Sequence, residues 1–226
     1  MKDKLNNPPY SKKTTFLRIF GNIVFSSLIV ITFIVVGFNF FYEYLPVEGL
    51  SMYPTLNSSD RVDAVYINHL NKGDIGDIIV CKHDDILVIK RLIAKSGDKI
   101  SITYENSEFK IFIIENGETI EKELILPFEI IINSSQNTYA NFMDFLSKNL
   151  KATQVINEKI YYTVPENHIF YLGDNFNSSN DCADYGPILE ENIVGTVRYI
   201  IYNRKYTISQ IITQTFKKPA SISAGF

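Results

Sequence analysis

Residues 77–94 read DIIVCKHDDILVIKRLIA, two runs dense in Val, Ile and Leu separated by His and Asp. Short runs of β-branched residues bounded by turn-forming residues describe strands rather than helices. The pattern continues outward. KISITYE (99–105) follows Gly97-Asp98, and FKIFII (109–114) meets Asn116-Gly117 before ETIEKELIL, a hairpin signal. HIFYLG (168–173) and NIVGTVRYIIYN (192–203) return to strand. These runs predict a mainly β domain built on antiparallel sheet. Between them, residues 133–158 (NSSQNTYANFMDFLSKNLKATQVINE) are more polar and weakly helical. They read either as a variable insertion over the sheet or as a mobile excursion from it.

Upstream the character changes. From Ile19 to Tyr42 there are 24 residues without a charge, and IVFSSLIVITFIVVGF (23–38) is almost wholly apolar. As a helix this stretch reaches about 36 Å, enough for a hydrocarbon core of ~30 Å with some tilt. It exceeds the apolar length of a cleavable signal peptide, and no A-x-A-like site follows. It also lacks the polar face of a core helix. Residues 1–18 carry Lys2, Lys4, Lys12, Lys13 and Arg18 against Asp3 alone, so the positive-inside rule holds them in the cytoplasm. The expected division is a cytoplasmic basic N-terminus (1–18), a transmembrane anchor (19–42), an extracytoplasmic β domain (43–206) and a tail (207–226). The tail reads as an interfacial amphipathic segment or as a frayed end. The predicted location is therefore the inner or plasma membrane, crossed once.

A net charge of -3 and a pI of about 5.7 supply no basic field for nucleic acid. Cys81 and Cys182 form no CxxC or Cys/His cluster, so neither a zinc site nor a disulfide framework is signalled, and the expectation is no metal and no cofactor.

In VEGLSMYPTL (47–56), Ser51 follows a Gly-containing turn, with Pro54 and Thr55 stiffening the backbone after it. A serine nucleophile needs a base. His69, His83 and His168 sit in no triad pattern, no Gly-x-Ser-x-Gly elbow is present, and no local signature makes Cys182 a thiol nucleophile with a histidine. The alternative is a lysine buried among apolar groups, where desolvation favours the neutral amine. Lys90, between Ile86-Leu87-Val88-Ile89 and Leu92-Ile93-Ala94, fits. Simple strand alternation would instead point it at solvent.

Four motifs decide between these. Ser51-Met52-Tyr53-Pro54-Thr55-Leu56, Gly76-Asp77-Ile78-Ile79-Val80, Lys90-Arg91 with Gly97-Asp98, and Gly173-Asp174-Asn175 occur in this order behind one apolar segment. VPENHIFYLGDN (164–175) and ENIVG (191–195) accompany them. Together they resemble type I signal peptidases, the leader peptidases with a serine/lysine dyad, over residues 19–203 apart from 133–158. The resemblance implies a signal-peptidase-type β fold, with Ser51 as nucleophile, Lys90 as general base and the Ser51 backbone N–H facing the oxyanion. It implies that Ser179 orients the lysine amine, supported by Asp181, Gly173, Asp174 and Asn175. Gly49 stands where some members carry a further oxyanion hydroxyl. Leu45, Val47, Met52, Leu56, Val88 and Ile89 would wall the small-residue pockets for an extended substrate added as a strand between the segments leading to Ser51 and Lys90.

One motif departs from the family. Where members read S-x-D-S-R, this chain reads Ser179-Asn180-Asp181-Cys182-Ala183, and Phe176 replaces an arginine often found after Gly-Asp-Asn. Asp181 must then find another donor, be exposed, or be partly protonated. On sequence alone, Ala183→Arg would stabilise it, given room. The implied partners are signal peptides of exported preproteins, the membrane lipid surface and a nearby secretion translocon, with no nucleic acid. Alternatives are a catalytically weak or silent membrane-tethered signal-peptide-binding module, and a specialised processing peptidase of the same family. A LexA-type self-cleaving repressor is disfavoured, because 18 residues cannot hold a helix-turn-helix.

Overall fold

The computed structural model describes residues 12–57, 63–106, 108–125, 132–176, 178–201 and 223–224. The chain divides into two compact units, Met1–Phe41 and Tyr42–Phe226. In the first, one helix, α1 (Lys12–Phe41), contains a 27-residue apolar stretch, Thr15–Phe41, with a mean hydropathy of 2.5 in its most apolar window. By length and composition it is able to cross a membrane, and its large apolar side chains are exposed. The helix begins before the apolar stretch and ends at Phe41, so Tyr42 already belongs to a strand.

The second unit is built on two antiparallel sheets. The larger orders its seven strands β1 (Tyr42–Pro46), β2 (Ala64–Asn68), β12 (Ile193–Ile201), β3 (Ile78–His83), β4 (Ile86–Ala94), β10 (His168–Leu172) and β11 (Ile188–Leu189). The smaller orders β13 (Ser223–Ala224), β7 (Lys122–Ile125), β6 (Glu108–Ile114), β5 (Lys99–Glu105), β9 (Lys159–Thr163) and β8 (Thr153–Ile156). The Val/Ile-rich runs thus become strands where expected. After Asn116-Gly117, Gly117 takes φ 83° and the Glu118 N–H closes on the Glu115 carbonyl at 2.9 Å, turning β6 back toward β7. The tail lies outside the described residues except for the two of β13, which pair with β7.

Strand β3 shows why the large sheet holds. Ile78 and Val80 enter one apolar cluster with Val47, Met52, Leu56, Val65, Ile67 and Ile200. Ile79 and Cys81 alternate into a second, larger cluster. A strand buried on both faces needs a continuous apolar run, which 78–81 supplies.

Of the two readings of 133–158, the structure has a helix and an edge strand seated on the domain. Helix α2 (Ile132–Lys148) buries Thr138, Phe142, Phe145 and Leu146, an i, i+4, i+7, i+8 stripe. Phe142 meets Phe170 of β10 edge-on at 6.0 Å, and Phe145 meets Tyr162 of β9 at 4.9 Å. Each such buried ring contributes about 2–3 kcal/mol of transfer free energy. Asn and Ser residues dilute this stripe in the sequence, which leaves the helical pattern weak. Strand β8 then pairs with β9 through Val155↔Ile160.

Candidate active site

Strand β4 pairs with β3 along Ile86–Arg91, but with β10 only through Arg91, Leu92 and Ala94. Among the described residues, no strand covers the other edge of Ile86–Lys90. Among the described residues, strand β1 likewise pairs only with β2. In the sheet order β1 and β4 are separated by three strands, yet Leu45 and Pro46 of β1 and Ile86–Lys90 of β4 line one cleft of about 510 Å³. The sheet therefore curls and brings two open strand edges to opposite walls. Glu48, Gly49, Ser51 and Val80 complete the lining.

Ser51 and Lys90 thus open into the same cleft. The Ser51 loop begins where β1 ends, with Val47 N–H on the Asp63 carbonyl at 2.9 Å, and tightens through Tyr53 N–H to the Leu50 carbonyl at 3.0 Å. Asn175 pins it from the side. Its N–H donates to the Ser51 carbonyl at 2.9 Å and its amide Nδ2 to the Leu50 carbonyl at 2.9 Å. Gly173 sits at the junction: a Cβ there would lie 2.2 Å from Ser179 Oγ and 2.6 Å from the Ser51 carbonyl oxygen. Only glycine lets these elements approach so closely.

Lys90 is 4% exposed. Its register partner is Ile79, which places it on the face that carries Cys81, Val88 and Leu92. The simple alternation that would send it to solvent fails because this half of β4 is covered on both faces. Burial lowers its amine pKa below the ordinary lysine value, opposed first by the charge of Asp181.

The segment after β10 holds Ser179 and Asp181. Asp181 is 2% exposed and accepts from the Gly173 N–H at 2.9 Å, the Ser179 hydroxyl at 2.7 Å and the Ala183 N–H at 3.1 Å. It is also the N-cap of α3 (Cys182–Tyr185), in a capping box with Asp184. So of the three fates open to a carboxylate lacking its arginine, exposure is excluded, and backbone and hydroxyl donors replace the guanidinium. Burial still pushes its pKa up to about 6, against the lowering effect of those hydrogen bonds.

Arg91, given no role above, and Thr55, read above only as stiffening the backbone after Ser51, join the site. Arg91 donates from Nε to Asp174 Oδ1 at 2.8 Å and from Nη2 to Oδ2 at 2.6 Å, and Thr55 Oγ1 donates to the same Oδ2 at 2.5 Å. The signal was available: Arg91 lies on the opposite strand face from Lys90, and a buried arginine requires a carboxylate. Of the six residues named for substrate pockets, Leu45, Val88 and Ile89 line the cleft, while Val47, Met52 and Leu56 lie in the buried cluster behind it. Pro46, Glu48, Val80, Ile86 and Leu87 also line the cleft and were not named as pocket or catalytic residues. Cys81 and Cys182 are both buried and unbridged. Burial raises the Cys182 thiol well above its usual pKa, which leaves no thiolate for attack. Among the described residues, no group of three or more His, Cys, Asp or Glu is placed to hold a metal ion.

A profile of the family "Signal peptidase, peptidase S26" matches residues 20–202. The chain belongs to the S26 signal peptidase family. This S26 member is a serine peptidase, a hydrolase of peptide bonds, with the antiparallel β architecture described above. It is 29% identical over 166 residues to Signal peptidase I S of Bacillus subtilis, covering 73% of this chain and 79% of that protein. Signal peptidase I T of the same organism is 29% identical over 174 residues, covering 73% and 76%. The Thylakoidal processing peptidase 1 of Arabidopsis thaliana is 28% identical over 163 residues, which are 66% of this chain and 38% of that longer protein.

Proposed function

We propose that this S26 peptidase is a membrane-bound endopeptidase that removes signal peptides from exported preproteins with a Ser51/Lys90 dyad. The observation that carries the proposal is the opening of both side chains into one cleft whose lysine is buried and depressed in pKa. A neutral Lys90 amine accepts the proton of Ser51 Oγ as the oxygen attacks the scissile carbonyl. The oxyanion formed faces the Ser51 backbone N–H. The lysine ammonium then protonates the leaving amine, and water, activated by the same lysine, hydrolyses the acyl-enzyme. Ser179, whose hydroxyl proton is given to Asp181, keeps its lone pairs to accept from Lys90.

The substrate lies as a strand between the open edges of β1 and Ile86–Ile89, held by main-chain hydrogen bonds. Leu45, Val88 and Ile89 offer aliphatic walls to small side chains. The apolar helix anchors the enzyme in the inner or plasma membrane, N-terminus in the cytoplasm, near the lipid surface and the export channel. A merely signal-peptide-binding module would have no use for a buried lysine lining the same cleft as a serine. The test is cleavage of a detergent-solubilised preprotein by the full chain and by Ser51→Ala. Wild type processes and the variant does not; equal processing by both would overturn the dyad.

A further inference from the structure

A chain of hydrogen bonds runs from the exposed face of α2 to Ser179. Asn141 Nδ2 donates to Asp184 Oδ1 at 2.6 Å. The other oxygen of that carboxylate, Oδ2, accepts the Asp181 N–H at 2.9 Å. Asp181 Oδ2 in turn accepts the Ser179 hydroxyl at 2.7 Å and the Gly173 N–H at 2.9 Å. Helix α3 is one turn long and Asp184 is exposed, so on its own this carboxylate has many rotamers available. The Asn141 amide selects the one that closes the capping box.

We propose that Asn141 is a positioning residue, which holds the Asp184–Asp181 capping box in the geometry that aims Ser179 at Lys90. A donor on another helix can do this only if that helix is registered on the loop, and α2 is. Phe142 and Phe145, on the opposite side of α2 from solvent, are anchored in the core. The Phe145 ring leaves so little space that a Cβ on Gly186, the C-cap of α3, would stand 2.8 Å from it. Farther along the same helix, Thr138 Oγ1 reaches the Phe176 carbonyl at 3.4 Å, and the Phe176 ring packs on Phe109 at 4.7 Å. Helix α2 therefore touches the 173–186 segment near both ends and at Asp184. Its function is to stiffen a loop whose Asp181 is otherwise held only by donors of the same segment, the Gly173 and Ala183 N–H groups and the Ser179 hydroxyl.

The inference rests on the Ser179 role proposed above, and a double-mutant cycle separates the two. Peptide cleavage is measured with the full chain in detergent for Asn141→Ala, Ser179→Ala, the double variant and Asn141→Asp. Asn141→Ala should lower kcat about 3- to 10-fold, the effect of one lost hydrogen bond, with KM unchanged. The double variant should be no slower than Ser179→Ala alone, because the relay then has nothing to aim. Asn141→Asp keeps the shape but sets a carboxylate against Asp184, and should lose more kcat than Asn141→Ala. A lower melting temperature with full additivity in the cycle would make Asn141 merely structural and overturn the inference. If Ser179→Ala slows cleavage while Asn141→Ala does not, the relay alone is wrong. If Ser179→Ala is silent, the Ser179 role fails and the relay with it.

Discussion

Arg91 and Asp174, 83 residues apart in the chain, form a buried two-point ion pair, Nε to Oδ1 at 2.8 Å and Nη2 to Oδ2 at 2.6 Å. Arg91 also donates from Nη1 to the Gly76 carbonyl at 2.7 Å. Each partner follows a site residue directly, Lys90 on β4 and Gly173 at the end of β10, so the pair locks the strand of Lys90 to the loop that pins Ser51. Removing one partner strands a buried charge. Arg91→Ala is expected to cost about 3–5 kcal/mol, and Arg91→Met with Asp174→Leu distinctly less. Urea unfolding of the two variants checks this; a double variant as unstable as Arg91→Ala would contradict it.

Gly173→Ala should abolish most activity with a smaller effect on stability. The added methyl would lie 2.2 Å from Ser179 Oγ and 2.6 Å from the Ser51 carbonyl oxygen, so one of the two must move. Displacement on the order of 1 Å at reacting groups costs about 100-fold in rate. Peptide turnover that stays within a few fold of wild type would show that the loop yields without disturbing the proposed dyad.

Activity should rise with pH along a limb that lies below the ordinary lysine range, since the base proposed for Lys90 must be neutral and burial lowers the Lys90 pKa. The negative charge of Asp181 opposes that lowering, so Asp181→Asn should move the limb to still lower pH. Stability has the opposite dependence. The folded pKa of Asp181, about 6, exceeds the 3.8 of a free aspartate, so proton binding favours the folded state. This contribution is complete below about pH 4 and is lost as pH rises through about 6. The stability of wild type relative to Asp181→Asn should fall by up to about 3 kcal/mol across that window. Melts of both proteins at pH 4 and pH 7 measure it, and a relative gain at pH 7 would refute it.

Ala183→Arg, stabilising on the sequence argument, should destabilise. Ala183 is 1% exposed, belongs to the apolar core, and already gives Asp181 its backbone N–H. A guanidinium there overpacks the core by about 1–3 kcal/mol or more. The check is a thermal melt at pH 7, where a higher midpoint would show that the core has room.

What the amino-acid sequence determined by itself was everything that depends on near neighbours. An uncharged stretch of membrane length, β-branched runs between turn residues, and Gly117 in a turn each carry their structure locally. The motifs around Ser51, Lys90 and Gly173 also stood in the chain as printed, and named the family. Tertiary structure alone decided the environments. Lys90 would face solvent by strand alternation, and is buried because packing covers both faces of that half of β4. Val47, Met52 and Leu56 read as pocket walls, and became core because the loop after β1 folds over β3. The replacement of a missing arginine by the N–H groups of Gly173 and Ala183, and the reach of Asn141 to Asp184 across 43 residues, follow from register and helix seating. Those properties belong to the whole packed domain, and no local pattern encodes which side chains they will bring within a hydrogen bond of each other.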